Sequence, residues 1–490
     1  MAYPRGFVVG GSSALNNLVY LRGPSDDFNR LASVSGDIGW SWNYMFDYAL
    51  KSESHVAAWD NTSTVGKINP YVHGDGPILT SITGNISDID LRVMQTTQQS
   101  PTKFPFNLDL NSGNGLGFGW MQSTVGNSVR SSGATAYLTP SLSRPNLDLL
   151  VQTQAINLVQ ANKSSAFTGV QVAKNASDTP ITLFANKEVI LSAGTVGTPQ
   201  LLMLSGIGPA PQLQKLGIKT IVNVSDVGQN LQDQPIFFFQ NTVTGAQTLS
   251  PILNDETALG GAIAQYAASK TGLLASDCLI NTIGFLRLPS SSSILKQFGD
   301  PSAGPGSPHY QFSFLPIFIN NPNQVAPTDG NWMSVSVVLQ TPTSRGSITL
   351  ASASAFDHPL IDPAFLSTPF DIATSIQAVR SLNEFFSTPA WNGFIGGPPL
   401  NGVNLTSDSS IESFIRAATV TIKHPVGTAK ISKVTDRSGV VGPDLRVKNV
   451  SGLRIVDASI LPFAVEGFPQ AQLYMIAERA ADLIKGTYGL

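Results

Sequence analysis

The sequence predicts a two-lobed protein of mixed class, with an α/β lobe whose buried strands feed helices and an α+β lobe built on a mostly antiparallel sheet. Three observations carry this. The chain has 490 residues, more than one hydrophobic core ordinarily serves, so two lobes are the default. Short apolar runs that end at Gly or Asp recur outside the middle of the chain, as the buried strands of an α/β sheet do. Between 236 and 430 the pattern changes to alternating runs separated by Ser/Pro/Gly loops, the mark of antiparallel strands.

The individual elements follow in chain order. Apolar runs over 147–151, 188–192 and 453–457 are predicted as buried strands. After the second, the segment from Ser192 through Gly194 and Gly197 is a Gly-rich turn. Pro199 is placed early in the helix that follows, which Gly206 ends. In the middle of the chain, the run from Met333 to Leu339 alternates polar and apolar residues and is predicted as a strand. After Pro469, the residues Leu473, Ile476, Ala477, Ala480 and Ile484 fall on one face of a predicted final helix, stopped at Lys485-Gly486.

Composition excludes several classes of function. Lys+Arg 29 against Asp+Glu 32 leaves no basic surplus for nucleic acid. No apolar run approaches the roughly 18 residues of a membrane span. The single cysteine, Cys278, excludes an internal disulfide and any cysteine-based metal site, and it is expected to be a buried thiol. No metal site is expected. Seven Asn-x-Ser/Thr sites occur, at Asn61, Asn85, Asn162, Asn175, Asn223, Asn404 and Asn449. About five or six are expected by chance in so Asn-, Ser- and Thr-rich a chain, so the count decides nothing. The first residues, Met1-Ala2-Tyr3-Pro4-Arg5-Gly6, have no charged-then-apolar signal pattern.

Three segments carry chemistry. In the first, Val9-Gly10-Gly11-Ser12-Ser13-Ala14-Leu15-Asn16-Asn17 precedes Tyr20-Leu21-Arg22-Gly23. Paired glycines expose backbone N–H groups and the serines add hydroxyls, which suits a diphosphate; a Gly-Gly turn with a Ser cap meets the same pattern. The second is the Gly194–Gly208 turn and helix, the way a doubly wound sheet approaches a nucleotide, and equally a tight strand-to-helix packing. The third is His424-Pro425-Val426-Gly427-Thr428. His424 is one of five histidines, with His55, His73, His309 and His358, and imidazole is the natural group to remove a proton near neutral pH. By itself a His before Pro is also an ordinary turn residue.

These three segments, in this order, resemble the glucose–methanol–choline flavoprotein oxidoreductases, most closely the fungal aryl-alcohol oxidases. Gly6 to Asn29 fits the first family signature, with Phe7 where many members carry a basic residue, and Gly194 to Gly208 fits the second. His424–Thr428 and the stretch from Gly452 to Pro462 fit the C-terminal catalytic region. The resemblance implies a FAD-binding, Rossmann-like lobe, discontinuous in sequence, and a substrate lobe with a mostly antiparallel sheet. It divides the chain into 1–235, mainly cofactor lobe, 236–430, mainly substrate lobe, and 431–490, a return to the cofactor lobe. It places Gly10, Gly11 and Ser12 at the pyrophosphate, Asn16 near the flavin and Ala155 at the adenine, and it returns Asp457 and Ala458 to the pyrophosphate and flavin at the start of the final helix. Gln470 is the remaining cofactor-side residue. His424 aligns with the base that takes the hydroxyl proton of a primary alcohol while hydride passes to the flavin. The implied partners are a small alcohol and an oxygen or quinone acceptor, and the implied protein is a secreted, glycosylated, fungal-type monomer.

Two departures from the family pattern stand out. Family members open with a strand–turn–helix unit carrying G-x-G-x-x-G. This chain begins after it, and Gly113-Asn-Gly115-Leu-Gly117-Phe118 has the wrong spacing to replace it. The expectation is an incomplete version of a longer protein, or else a truncated form with weakened FAD binding. At the second catalytic position the family sets His or Asn, whereas the aligned residue here is Phe468, which can neither donate nor accept a hydrogen bond; Glu466 and Gln470 are the nearby polar residues. Asn17 stands where the aryl-alcohol enzymes carry an aromatic gate, and Lys423 where they carry Phe. Three readings follow: a FAD-dependent alcohol oxidase or dehydrogenase, a relative impaired in FAD binding or turnover, and a cyanohydrin lyase on the same scaffold.

Overall fold

The computed structural model describes every residue except Met1, Thr83, Lys163, Ala246, Gln247, Asp277 and Cys278; the expectation for Cys278 therefore lies outside the described residues. The predicted mixed class is found. Two hydrophobic cores organise the molecule. The first joins Phe28, Leu31 and Trp40 to Leu202, Met203, Leu453, Ile455, Met475 and Ile476. The second joins Phe118, Phe237, Phe239, Phe312, Val335 and Val337 to Val379, Leu382 and Phe385.

The second core lies on one face of a six-stranded sheet. In spatial order its strands are Val420–Thr421, Pro235–Thr242, Trp332–Leu339, Tyr310–Leu315, Thr282–Leu286 and Gly117–Trp120, and every neighbouring pair is antiparallel. Register decides what each face offers. Phe237 pairs with Val337 and Phe239 with Val335, so these apolar side chains share a face, with the helix Pro369–Phe386 packed against it. One residue along, side chains point the other way. That second face carries Ser334, Ser336, Gln311 and Ser313 beside Ile283, Phe285 and Leu315. All seven are buried, and the functional site lies on this side.

In the first lobe, Val189–Leu191 and Leu453–Ile455 pair in parallel, as two of the predicted strands. The buried Arg454 guanidinium, with Nε 3.0 Å from Glu188 Oε1, ties them together. Three expectations are corrected. The run over 147–151 forms no strand: no described strand pairs with it, and Leu147, Leu149, Leu150 and Val151 are exposed. Apolar composition makes a strand only where a neighbour takes its N–H and C=O groups, and here pairing starts at Gln154–Gln160, against Phe167–Ala173. Pro199 lies in the interior of the helix Gly194–Leu204, not at its start. Proline removes the bond to the carbonyl four residues back, and that carbonyl, on Thr195, instead accepts the Thr428 hydroxyl at 2.6 Å. The final helix, Pro469–Tyr488, runs past Lys485-Gly486 and ends at left-handed Gly489, whose N–H returns to the Lys485 carbonyl. Its buried face is Ala471, Gln472, Met475, Ile476, Arg479 and Ala480, while Ala477 is exposed.

Candidate active site

His424 follows the short edge strand Val420–Thr421, and its backbone is set by one carboxylate. Asp233 is buried, and its oxygens accept the His424 N–H at 2.9 Å, the Gln234 N–H at 2.8 Å, the Thr421 hydroxyl and the Tyr3 hydroxyl. Burial pushes the Asp233 carboxyl up, against the pull of these donors. Arg5 crosses the same corner and donates to the Lys423 carbonyl at 2.7 Å. Thus the N-terminal segment lies directly behind the histidine.

The His424 ring donates through Nδ1 to Gln234 Oε1, 2.9 Å away. It meets Phe468 edge-on, with centroids 4.9 Å apart and planes at 74°. Burial, and then the charges of Arg5 and Lys423, push its pKa down to about 3. The imidazole is therefore neutral throughout the neutral range, the form a general base requires. Phe468 in turn packs on Val19, Leu21, Met121, Ile283, Phe285 and Leu315, so the surroundings of the base on that side are apolar. Glu466 does not reach His424: its carboxylate takes the Ala303 N–H at 3.4 Å, and its backbone N–H donates to Asp27 at 2.7 Å. Gln470 is also engaged elsewhere, with the Asn16 side chain and with the Thr124 hydroxyl at 3.2 Å.

The residues expected around the cofactor fall into two linked groups. Gly10 precedes the 3-10 turn Gly11–Ala14. The Ser12 hydroxyl takes the Gly6 N–H at 3.1 Å, and the Ser13 hydroxyl bonds the Gly10 carbonyl at 2.6 Å and the Gly133 N–H at 3.1 Å. Asn16 joins this turn to Gln470 and accepts from Arg130 at 2.7 Å. The second group sits at the ends of the parallel strands. The half-buried Asp457 carboxylate accepts the Gly194 N–H at 3.0 Å, the Thr198 hydroxyl at 2.5 Å and the Ser459 N–H at 2.8 Å. It therefore staples the two strand ends together, with Ala458 opening a 3-10 turn beside it; the pair does not start the final helix as expected, because that helix begins only at Pro469. Ala155 lies on the Gln154–Gln160 strand, on which the Gly194 helix packs.

Gly11 and Gly194 have φ of +56° and +76°, and a Cβ built on either would meet nothing within 4 Å. Backbone that is open in this way, in a conformation that favours glycine, allows close approach of a ligand's phosphates. These residues fit a dinucleotide cofactor. Among the described residues, no group of three or more His, Cys, Asp or Glu is placed to hold a metal ion.

Residues 1–236 and 342–477 match, respectively, the N- and C-terminal family descriptions named GMC oxidoreductase. The chain is a GMC oxidoreductase. Its curated relatives include the dehydrogenase eriK of Hericium erinaceus, 37% identical over all of this chain and 82% of the relative. Pyranose dehydrogenase 3 of Leucoagaricus meleagris is 35% identical over 99% of this chain and 81% of its own. Among solved structures, a formate oxidase variant of Aspergillus oryzae RIB40, studied for modification of its FAD, superposes with a TM-score of 0.90. It is 27% identical, covering 99% of this chain and 85% of its own. A fungal aryl-alcohol oxidase gives a TM-score of 0.85 at 26% identity, over 99% and 87% of the two chains.

Sequence reasoning overlooked several residues of this GMC oxidoreductase's site. Asp233 and Gln234 form a polar pair immediately before the apolar run 235–239, and that unexpected polarity was the available signal. Tyr3, Arg5 and Arg130 had no such local mark.

Proposed function

We propose that this GMC oxidoreductase is FAD-dependent and oxidises the CH–OH group of a small primary alcohol, of aryl or other apolar type, to the aldehyde. The observation that carries the reading is His424: a neutral imidazole, rooted by Asp233 and Gln234, facing an apolar wall through Phe468. Gly10, Gly11 and Ser12 would hold the pyrophosphate. Asn16 and Gln470 would lie beside the flavin, with Ala155 at the adenine and Asp457 and Ala458 closing the site from the C-terminal side. We assign 1–235 and 431–490 mainly to the cofactor lobe and 236–430 mainly to the substrate lobe, as the membership of the two cores supports. FAD, when bound, supplies the hydride acceptor that no side chain can provide. His424 would take the hydroxyl proton on Nε2. Oxygen or a quinone then serves as the final acceptor, in a secreted monomer.

Pyranose oxidation needs several polar groups to read ring hydroxyls, whereas the described side chains on which Phe468 packs, from Val19 and Leu21 to Phe285 and Leu315, form an apolar cluster. Phe468 also favours a second reading, an enzyme of reduced turnover. If Phe468 removes one transition-state hydrogen bond, Phe468→His is expected to raise kcat by about 10²–10³-fold, in stopped-flow turnover of the flavin-loaded protein. An unchanged kcat would show that this position does not limit the reaction. The proposal as a whole is tested by the visible spectrum of the purified chain with added FAD after gel filtration, then by anaerobic addition of benzyl-type alcohols. Retained flavin that bleaches supports it. Retained flavin that no alcohol bleaches would point to the lyase reading, and a chain that retains no flavin would defeat the cofactor assignment.

A further inference from the structure

Three buried glutamines stand in line behind His424. The Gln234 side-chain nitrogen lies 3.1 Å from the Gln340 main-chain carbonyl, 3.0 Å from the Val465 carbonyl and 3.0 Å from Gln340 Oε1. Main-chain carbonyls only accept, so the amide has one orientation; reversed, it would set oxygen against two oxygens. Its Oε1 must then face His424 Nδ1. Gln340 is fixed by the same logic. Its Oε1 takes the Gly467 N–H at 2.9 Å, a group that only donates, and its nitrogen reaches Gln311 Oε1 at 2.7 Å. Gln311 ends the relay on the Ser313 hydroxyl at 2.8 Å. An amide oxygen can only accept, so the proton between Gln234 and His424 belongs to Nδ1.

We infer that Gln234, oriented by Gln340 and Gln311, is a positioning residue that holds His424 in one tautomer, with hydrogen on Nδ1 and the lone pair on Nε2. The inference deepens the proposed function, since it names the group that decides which ring nitrogen can take the substrate proton, and it rests on that reading only for its catalytic meaning. In the opposite tautomer the Nδ1 lone pair would face Oε1 at hydrogen-bond distance, leaving a buried acceptor unsatisfied. The device differs from a carboxylate partner in one respect: the amide fixes the tautomer without adding a negative charge beside the imidazole.

The test reads the tautomer directly. Protein labelled with ¹⁵N in its histidine rings gives five imidazoles, and His424→Gln assigns the His424 signals by their loss. The expected wild-type spectrum shows Nδ1 protonated and Nε2 bare. Gln234→Met is expected to shift the tautomer ratio toward Nε2–H by roughly 5- to 150-fold. Gln234→Glu keeps an acceptor and is expected to retain Nδ1–H while moving the imidazole titration to higher pH, a response that a purely structural role would not produce. A wild-type His424 protonated on Nε2 would overturn the inference, even if every variant failed to fold. Nδ1–H without alcohol-dependent flavin bleaching would instead defeat the proposed function and leave the tautomer assignment standing.

Discussion

Replacing His424 by Asn is expected to lower the rate of alcohol-dependent flavin bleaching by about 10²–10⁴-fold with the flavin content of the preparation unchanged. Asparagine keeps the backbone N–H that Asp233 holds and fills most of the ring's volume, but has no lone pair basic enough to take a hydroxyl proton. The neighbouring groups do not substitute: Asp233 already accepts four donors, and the Glu466 carboxylate is directed at Ala303. The pH profile gives an independent reading. Burial lowers the folded-state pKa of His424 to about 3, so the imidazole remains a free base well below the point where an ordinary histidine, near 6.5, would have titrated. The acid limb of kcat/KM is therefore expected far below pH 6, with activity retained above the folded pKa and lost as pH falls through it. A variant that bleaches flavin at nearly the wild-type rate would remove His424 from the reaction, whatever the pH profile showed.

The parts of this architecture that were legible in the sequence are those in which a residue's surroundings follow from its neighbours along the chain. The run 188–192 reads as a strand because five residues of mostly apolar character run into a Gly-rich turn, and Val189–Leu191 does pair there. The alternation over 333–339 reads as a strand with two unlike faces, and register places Val335 and Val337 on the apolar face and Ser334 and Ser336 on the other. His424 stood out because histidines are scarce and a Gly-Thr turn follows it.

What could not be read depends on pairing across long separations. The run 147–151 has the composition of a strand, yet composition carries no information about whether a partner strand lies alongside. The glutamine relay is invisible for the same reason. Gln311 acquires its place only through register, opposite Val338, and Gln340 only because the Trp332–Leu339 strand delivers it next to Gln234. Nothing within a few residues of Gln234 marks it as different from any surface glutamine, except that it begins an otherwise apolar run.

The same limitation hid the polar cluster that anchors the other end of the site, and it carries the largest stability effect expected in the molecule. Arg22 and Glu53 are fully buried and paired. His73 lies between Glu53 and Asp109, with Nδ1 and Nε2 each 2.9 Å from a carboxylate. Both acceptors are anionic, so the ring carries two protons, and the cluster balances two cations against two anions. Arg22 also donates to the Val72 carbonyl at 2.6 Å and the Asn111 carbonyl at 3.2 Å. Through Arg22 the cluster fixes the Tyr20–Gly23 segment that leads from the Gly10–Asn16 turn into the helix Ser25–Ser35. Glu53→Ala leaves a buried guanidinium without its carboxylate and is expected to cost about 3–5 kcal/mol, measured as a loss of unfolding free energy in urea. Because the same segment carries Asn16, FAD retention should fall with it.

The pH dependence has a definite sign. Burial opposes the charge on His73, but hydrogen bonds to Asp109 and Glu53 outweigh it and raise its pKa above the ordinary 6.5. Its contribution is complete below that value and disappears as pH rises through the folded pKa. Burial likewise opposes charge on Glu53 and Asp109. The hydrogen bond from His73 is the largest opposing influence on each and, with Arg22 acting on Glu53, it lowers both below their ordinary values of 4.5 and 3.8. Their contribution is complete above those values and is lost on acidification. The stability difference between wild type and Glu53→Ala should therefore be greatest between pH 4.5 and 6.5, and shrink on both sides. A difference below about 1 kcal/mol at every pH would mean the cluster behaves as an exposed ion pair does, and that the Tyr20–Gly23 segment is held by its apolar contacts alone.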